Sequence, residues 1–321
     1  MSIAATDPRF AVPDADPTAG ADAAPDRLWR RIFASRRIVV SGSVLLAILL
    51  LCLGTLPWTY YADEAPTRLY YDSQDPALSK KPPAGGSAWR WFGTDIQGRS
   101  LLGRCLLGGS ISLAVGAAAA AISVVLGLTV GLVAGYRGGW IDALLMRLVD
   151  ILYGLPYILI VILFQVAFSS SRVGSVVVLF VAIGLVSWLT MARVVRGQVL
   201  SLRAQPFIEA CRASGLTEWR IFTRHLLPNL VGPVVVYASL IVPQAMLQES
   251  FLSFLGVGIN PPMPTWGSLA SDAVQALSPV RVYWWMLVFP CALLAITLLS
   301  LNFLGDGLRD VFDPKREAAK I

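Results

Sequence analysis

ISLAVGAAAAAISVVLGLTVGLVA, residues 111–134, carries no charged side chain over its whole length. A helix rising 1.5 Å per residue needs about 20 apolar residues to cross about 30 Å of hydrocarbon, and this run is long enough. Five more apolar stretches of similar length lie at about 38–56, 144–168, 173–192, 230–255 and 284–304. Backbone polar groups in lipid must be satisfied within the chain, which selects helices over open strands. Core helices of a water-soluble protein keep a polar stripe, and six this long without one are excluded. The fold class is therefore an all-α membrane protein with six transmembrane helices. Within the opening run and just beyond it, Gly127, Gly131 and Gly135 recur every four residues. That spacing strips one helix face of side chains and predicts close packing of a neighbouring helix.

Composition agrees. Of 321 residues, 56% are hydrophobic and 14% charged, with a mean hydropathy of +0.66. A soluble domain carries about 25% charged residues, so this chain lacks a charged skin. The net charge of +6 falls between apolar runs, where its sidedness matters more than its sum. With the N-terminus inside, 18 of the 26 Lys and Arg residues fall on inner segments. Both termini are thus expected in the cytoplasm. Trp58, Tyr60 and Tyr61, with Tyr283, Trp284 and Trp285, suit an aromatic belt at the outer surface. No cleaved signal peptide is expected, because the first apolar run follows a long polar tail. Cys52, Cys105, Cys211 and Cys291 read as small apolar residues, and the single histidine, His225, excludes a multi-histidine metal site. No nucleic-acid partner is expected.

The chain divides into a tail at 1–26, rich in Ala, Pro and Asp and expected to be disordered. A first helix and outer loop follow at 27–107, then a main membrane unit at 108–306. Its inner connection spans 193–229, and a C-terminal tail occupies 307–321.

The inner connection contains QPFIEACRASGLTEWRIFTRHLLPN, residues 205–229. Pro206 suits the first turn of a helix, and Glu209 lies where the helix dipole favours an anion. Phe207, Ala210, Cys211 and Ser214 are expected to share a small, mostly apolar face. Glu209 and Arg212 are spaced to pair. Gly215 is expected to stop the helix. A second amphipathic stretch carries Trp219, Phe222 and Leu226 on one side, and Pro228 ends it at the membrane. Two readings remain open on physics alone. One is a stiff elbow passing force from a docked partner to the membrane helices; the other is an ordinary helix lying among headgroups.

The segment resembles the EAA loop of ABC importer permeases. Glu209, Ala210 and Cys211 are followed by Gly215 and, after nine intervening residues, by His225, Leu227 and Pro228. Cys211 departs from the usual Ala and His225 from the usual Ile. FGTDIQGRSLLGR (92–104) resembles a signature of dipeptide and oligopeptide permeases. GYRGGWID (135–142), RLVDILYGLP (147–156), SFLGVGINPPMPTWG (253–267) and NFLGDGLRDVFDP (302–314) are similar to that branch as well. The resemblance covers about 30–315. It implies a type I ABC importer permease fold in the inner membrane of a bacterium, with a cytoplasmic coupling helix. It also implies a second homologous permease, two ABC ATPase subunits and an extracytoplasmic substrate-binding protein as partners. Phe207, Glu209, Ala210, Cys211, Arg212, Gly215, Leu227 and Pro228 would then form the ATPase-coupling surface. No cofactor is expected on this chain; ATP and Mg²⁺ would sit on the partner ATPases. The sequence agrees, since none of its four lysines follows a glycine and no phosphate loop is present. The chain is not expected to be an enzyme.

Other residues carry weaker expectations. Arg147 and Asp150 suit an ion pair near the inner end of span three. Asp95 and Arg99 suit a local pair on an interfacial helix. Pro156, Pro233 and Pro243 predict kinks. Glu249, beside Gln248, is a candidate for the substrate cavity or gate, or equally a cap for the next helix segment. A secondary transporter or channel is the alternative function, although such proteins place charged or broken-helix sites near mid-membrane. A membrane-embedded enzyme ranks last, for want of a catalytic constellation.

Overall fold

The structure, a computed structural model, describes residues 32–61, 68–168, 172–278 and 281–312. The expected tail at 1–26 and most of the one at 307–321 lie outside the described residues. Helix α1 is Arg36–Gly54, α2 Leu101–Arg137, α3 Gly139–Tyr153, α4 Tyr157–Phe168 and α5 Arg172–Arg203. The short α6 (Pro206–Ala213) and α7 (Glu218–Ile221) follow. Then come α8 (Leu227–Phe254), α9 (Trp266–Gln275) and α10 (Trp284–Phe312). Among the described residues five helical runs are long and apolar enough to span a membrane. The bent pair α3–α4 brings the number to six if taken as one span.

Span three differs from a single kinked rod. α3 and α4 meet at 80°. Gly154 weakens the helix and Pro156 removes an N–H donor, so the ladder breaks between them. In α8, by contrast, the helix continues through Pro233 and Pro243. The expected Arg147–Asp150 pair is absent. Asp150 instead accepts from Arg193 of α5 at 2.8 Å, and Asp142 accepts from Arg196 at 2.5 and 2.6 Å. These bonds clamp α3 to α5. Asp142 lies in the first turn of α3, at the favourable end of its dipole.

The glycine ladder performs as expected. A Cβ on Gly127 would lie 2.5 Å from Met191 Cβ. One on Gly131 would lie 2.6 Å from the Ala192 carbonyl, and one on Gly135 would lie 2.8 Å from Val199 Cβ. α2 and α5 are therefore in near backbone contact over two turns of ladder. Gly131→Ala is expected to destabilise the fold by about 1–3 kcal/mol, because backbone cannot yield. Gly197→Ala on exposed α5 surface, with open space around it, is expected to be neutral or stabilising. Thermal unfolding of the two purified variants should shift in opposite directions or differ clearly. Equal shifts would refute the tight packing.

The core lies where α2, α5, α8 and α10 meet. Val115 and Ala119 of α2 pack with Leu179, Ala182 and Ile183 of α5 and Leu252 of α8. Leu101, Met246, Trp266 and Trp285 form a second cluster toward the outer segment. Many large apolar residues point outward, including Leu50, Val125, Leu163, Leu299 and Phe303. Such continuous apolar exposure suits lipid or a partner subunit rather than water.

The segment at 68–100 is folded back onto the helices around one buried carboxylate. Asp95 accepts from Arg99 Nε at 2.7 Å and Arg104 Nη1 at 2.6 Å. It also accepts from the backbone N–H groups of Gln97 and Arg99, each at 2.9 Å. Arg99 reaches Asp72, and Arg104 reaches Asp272 of α9, both at 3.2 Å. The expected Asp95–Arg99 pair is present, but in a tight turn and not on a helix. Gly98 sits at φ +76° in that turn, against the Asp75 carbonyl, so a side chain would be both strained and obstructed. Thr94 completes the attachment: its hydroxyl donates to the Leu78 carbonyl, and its own carbonyl accepts from Trp285 Nε1.

Candidate functional site

The elbow at 206–221 is built from two short helices and a reversal. Pro206 opens α6 at its first position, as the sequence implies. At the far end Gly215 has φ +76°. Its N–H donates to the Arg212 carbonyl at 2.9 Å, and the Leu216 N–H donates to the Cys211 carbonyl at 3.1 Å. This double closure stops the helix and needs the left-handed residue that glycine supplies.

The face that packs inward is centred on Ile208. Ile208 is fully buried and packs with Ile221 and Leu226, with Cys211, Leu216, Phe222 and Tyr136 around them. Phe207, Glu209, Ala210 and Ser214 point outward, and Phe207 is 41% exposed. Cys211 thus belongs to the packed face, while Phe207, Ala210 and Ser214 do not. The exposed face presents an aromatic ring, a carboxylate and small residues, a shape able to enter a cleft on another protein. Leu227 and Pro228 are exposed at the start of α8, and His225 lies in a wide turn at Phe222–Leu226, its ring 6.5 Å from that of Phe207.

The Glu209–Arg212 pair is not formed. Arg212 Nε instead donates to Glu218 at 3.0 Å, across the Gly215 reversal. The other Glu218 oxygen accepts from the Tyr136 hydroxyl at 2.5 Å, at the end of α2. Arg203 then caps α2, donating to the Gly135 and Tyr136 carbonyls at 3.0 and 2.7 Å. Glu218 therefore ties the elbow to the membrane helix beside it.

A second feature lies at the α3–α4 break. A cavity of about 590 Å³ is bounded by the break, by α5 and by α8. Its polar lining comes from Tyr153, Tyr157, Ser187, Thr190, Tyr237, Gln244 and Gln248, with no charged residue. Irregular backbone at membrane depth is tolerated only where it is buried in protein or faces a wet space. Gln248 reaches this cavity, and its Oε1 has no hydrogen-bond partner among the described residues.

Glu249 does not line this cavity. It is 0% exposed. Ser112 of α2 donates to it at 3.0 Å and Ser253 at 2.8 Å, with Ser250 at 3.4 Å and Thr265 also bonded. It does not cap α9 either: Thr265 does so in a reciprocal pairing with Ser268. Glu249 is a knot joining α8, α2 and the loop before α9. Glu249→Gln is expected to fold normally, since hydroxyls can rotate to meet an amide. Glu249→Ala is expected to cost about 1–3 kcal/mol by orphaning those hydroxyls. Comparing the unfolding temperatures of the two variants checks this, and equal losses would contradict it.

Comparison with known proteins follows the geometry closely. Residues 127–318 match the family described as "Binding-protein-dependent transport system inner membrane component". The chain belongs to that family. The Escherichia coli K12 oligopeptide transport system permease protein OppC is 46% identical to this permease over 291 residues, 90% of this chain and 91% of the relative. The Salmonella typhimurium OppC is 47% identical over the same length. The Bacillus subtilis dipeptide transport system permease protein DppC is 39% identical over 71% of this chain and 70% of its own. Among solved structures, a chain of the MetNI methionine ABC transporter in an inward-facing conformation superposes with a TM-score of 0.52 at 20% identity. That match covers 64% of this permease and 94% of that chain, and it shows the type I importer permease fold.

The permease is a multi-pass protein of the inner membrane and a transport component rather than a catalytic subunit. The broken span three is a feature that sequence reasoning had assigned to the alternative, a secondary transporter; family membership decides against that alternative. Sequence reasoning missed Ile208, Tyr136, Arg203 and Glu218. Ile208 was within reach, since it lies three residues before Cys211. The Glu218 bridge joins residues 82 and 6 positions away, and no local spacing announces it.

Proposed function

We propose that this permease carries peptides inward across the cytoplasmic membrane as one of two permease subunits, driven by two ABC ATPases and supplied by an extracytoplasmic binding protein. The observation that carries this reading is the elbow at 206–215. Its exposed Phe207, Glu209 and Ala210 are held on a packed base and tied to α2 through Glu218. ATP and Mg²⁺ are bound by the ATPases, which dock on that elbow, and this chain holds no cofactor. Phe207, Glu209, Ala210, Arg212, Gly215, Leu227 and Pro228 form or frame the docking surface, with Cys211 packed beneath it. Both termini lie in the cytoplasm. The relatives named for oligopeptides and dipeptides support the substrate class. The uncharged cavity beside Gln248 suits it, because amide and hydroxyl groups can meet any peptide backbone whatever its side chains.

The test is reconstitution with the partner subunits in vesicles, followed by ATP-dependent uptake of peptides graded in length. Uptake of peptides, abolished when ATP is withheld, is expected. Uptake that persists without ATPases would overturn the reading. Labelling of a cysteine placed at Glu209 should occur only from the cytoplasmic side; external labelling would sink the assigned orientation.

A further inference from the structure

We propose that the groove between α1 and α10 binds an anionic phospholipid, its acyl chain between the helices and its phosphate on Arg36 and Arg37. The groove encloses about 520 Å³. Its walls include Val40 and Val44 of α1 and Leu299 and Phe303 of α10, and both arginines stand at one end. Ser41 and Ser300 also border it, and the Ser41 hydroxyl is already committed to the Arg37 carbonyl at 2.6 Å. The interior is thus apolar and the mouth cationic.

Charge balance favours one phosphate. Among the described residues the carboxylate within ion-pair reach of these arginines is Asp310 of α10, 3.9 Å from Arg37 Nη1 with both side chains well exposed, and neither it nor Asp306 lines the groove. Among the described residues no carboxylate pairs with Arg36. Among the described residues two guanidinium groups line the groove and no carboxylate does, at the depth where arginine side chains reach headgroups. Dimensions agree as well. From Arg37 to Val44, and from Phe303 to Ile296, each wall runs about 10 Å along its helix. That distance stays within one leaflet of a core about 30 Å thick. A cationic rim above an apolar slot one leaflet deep has the form of a phospholipid. It does not have the form of a soluble anion, which would gain nothing from the slot.

The experiment uses the full-length purified chain in a mild detergent. It is incubated with equal amounts of phosphatidylglycerol and phosphatidylcholine and read by native mass spectrometry. Retained phosphatidylglycerol is expected to exceed phosphatidylcholine by about tenfold or more. The double variant Arg36→Gln, Arg37→Gln should bring the two lipids close to parity. Val44→Trp, which fills the slot and leaves both arginines, should reduce phosphatidylglycerol retention on its own. Equal retention by the unaltered chain, or an undiminished preference in the double variant, overturns the proposal. So does efficient disulfide formation between Val40→Cys and a cysteine on the second permease of the assembled transporter, because protein would then occupy the slot.

Discussion

Replacing Asp95 with alanine is expected to unfold the segment at 68–100 and detach it from α2 and α9. The carboxylate is almost wholly buried and is the common acceptor for Arg99 and Arg104, which are themselves buried. Its removal leaves two guanidinium groups out of water, with only Asp72 and Asp272 at 3.2 Å to share them. Breaking a buried pair from one side costs about 3–5 kcal/mol, mostly through the charge left behind. Two backbone N–H groups also lose their acceptor, so the turn at Gly98 would open. The expected result is a much lower yield of folded protein in the membrane and a lower unfolding temperature in detergent. Asp95→Asn should be less damaging, since an amide oxygen still accepts from one arginine and the backbone. If Asp95→Ala matched the parent protein in both measurements, the outer segment would not depend on this cluster.

Glu218→Ala is expected to separate ATP hydrolysis from transport while leaving the fold intact. Glu218 is more than half exposed, so its loss should change stability little. What it removes is the bond from Arg212 on α6 and the carboxylate half of the contact with α2, since the Tyr136 hydroxyl can still donate to the backbone carbonyl of residue 218 at 2.9 Å. An elbow held by its apolar base around Ile208, Ile221 and Leu226 and by that single remaining hydroxyl bond can rock more freely. A coupling of ~1–3 kcal/mol corresponds to about 5- to 150-fold in a linked equilibrium. In the reconstituted transporter, uptake per ATP hydrolysed should fall by at least about fivefold, with ATPase subunits still bound. Tyr136→Phe should reproduce part of the loss, because the ring can still pack on Phe222, 5.2 Å away, while the hydroxyl is gone. Unchanged stoichiometry in both variants would refute the bridge. Loss of ATPase binding would instead assign Glu218 to the docking surface.

Much of this architecture was legible in the sequence, for definite reasons. Spans of about 20 apolar residues are set by bilayer thickness, and only one kind of backbone satisfies itself there. The ladder at Gly127, Gly131 and Gly135 announced a close neighbour because spacing four stays on one helix face. Pro206 and Gly215 bracketed α6 because each has one conformational niche. Pairing was less legible. Asp150 found Arg193 rather than Arg147, and Arg212 found Glu218 rather than Glu209. Local spacing offers a partner to every charge, but packing brings another helix closer. Glu249 misled for a similar reason. A carboxylate in an apolar run suggests water or a cation, and here four hydroxyls from three parts of the chain serve instead. The break in span three was visible as Pro156, yet the size of the bend depends on what α5 and α8 leave room for.

The ladder on α2 also determines which parts of the molecule can slip. Met191, Val195 and Val199 sit in notches where the facing backbone has no side chains, so lengthwise travel of α5 along α2 would drive each into the next shoulder. These two rods have no lubricating layer and must swing as a single plank. α6 hangs from one end of that plank, so a shove on it cannot be spent there. The shear must surface farther off, where α8 meets the plank through the aliphatic side chains of Leu230, Val234, Ala238 and Ile241, at the end of α8 away from the Glu249 knot.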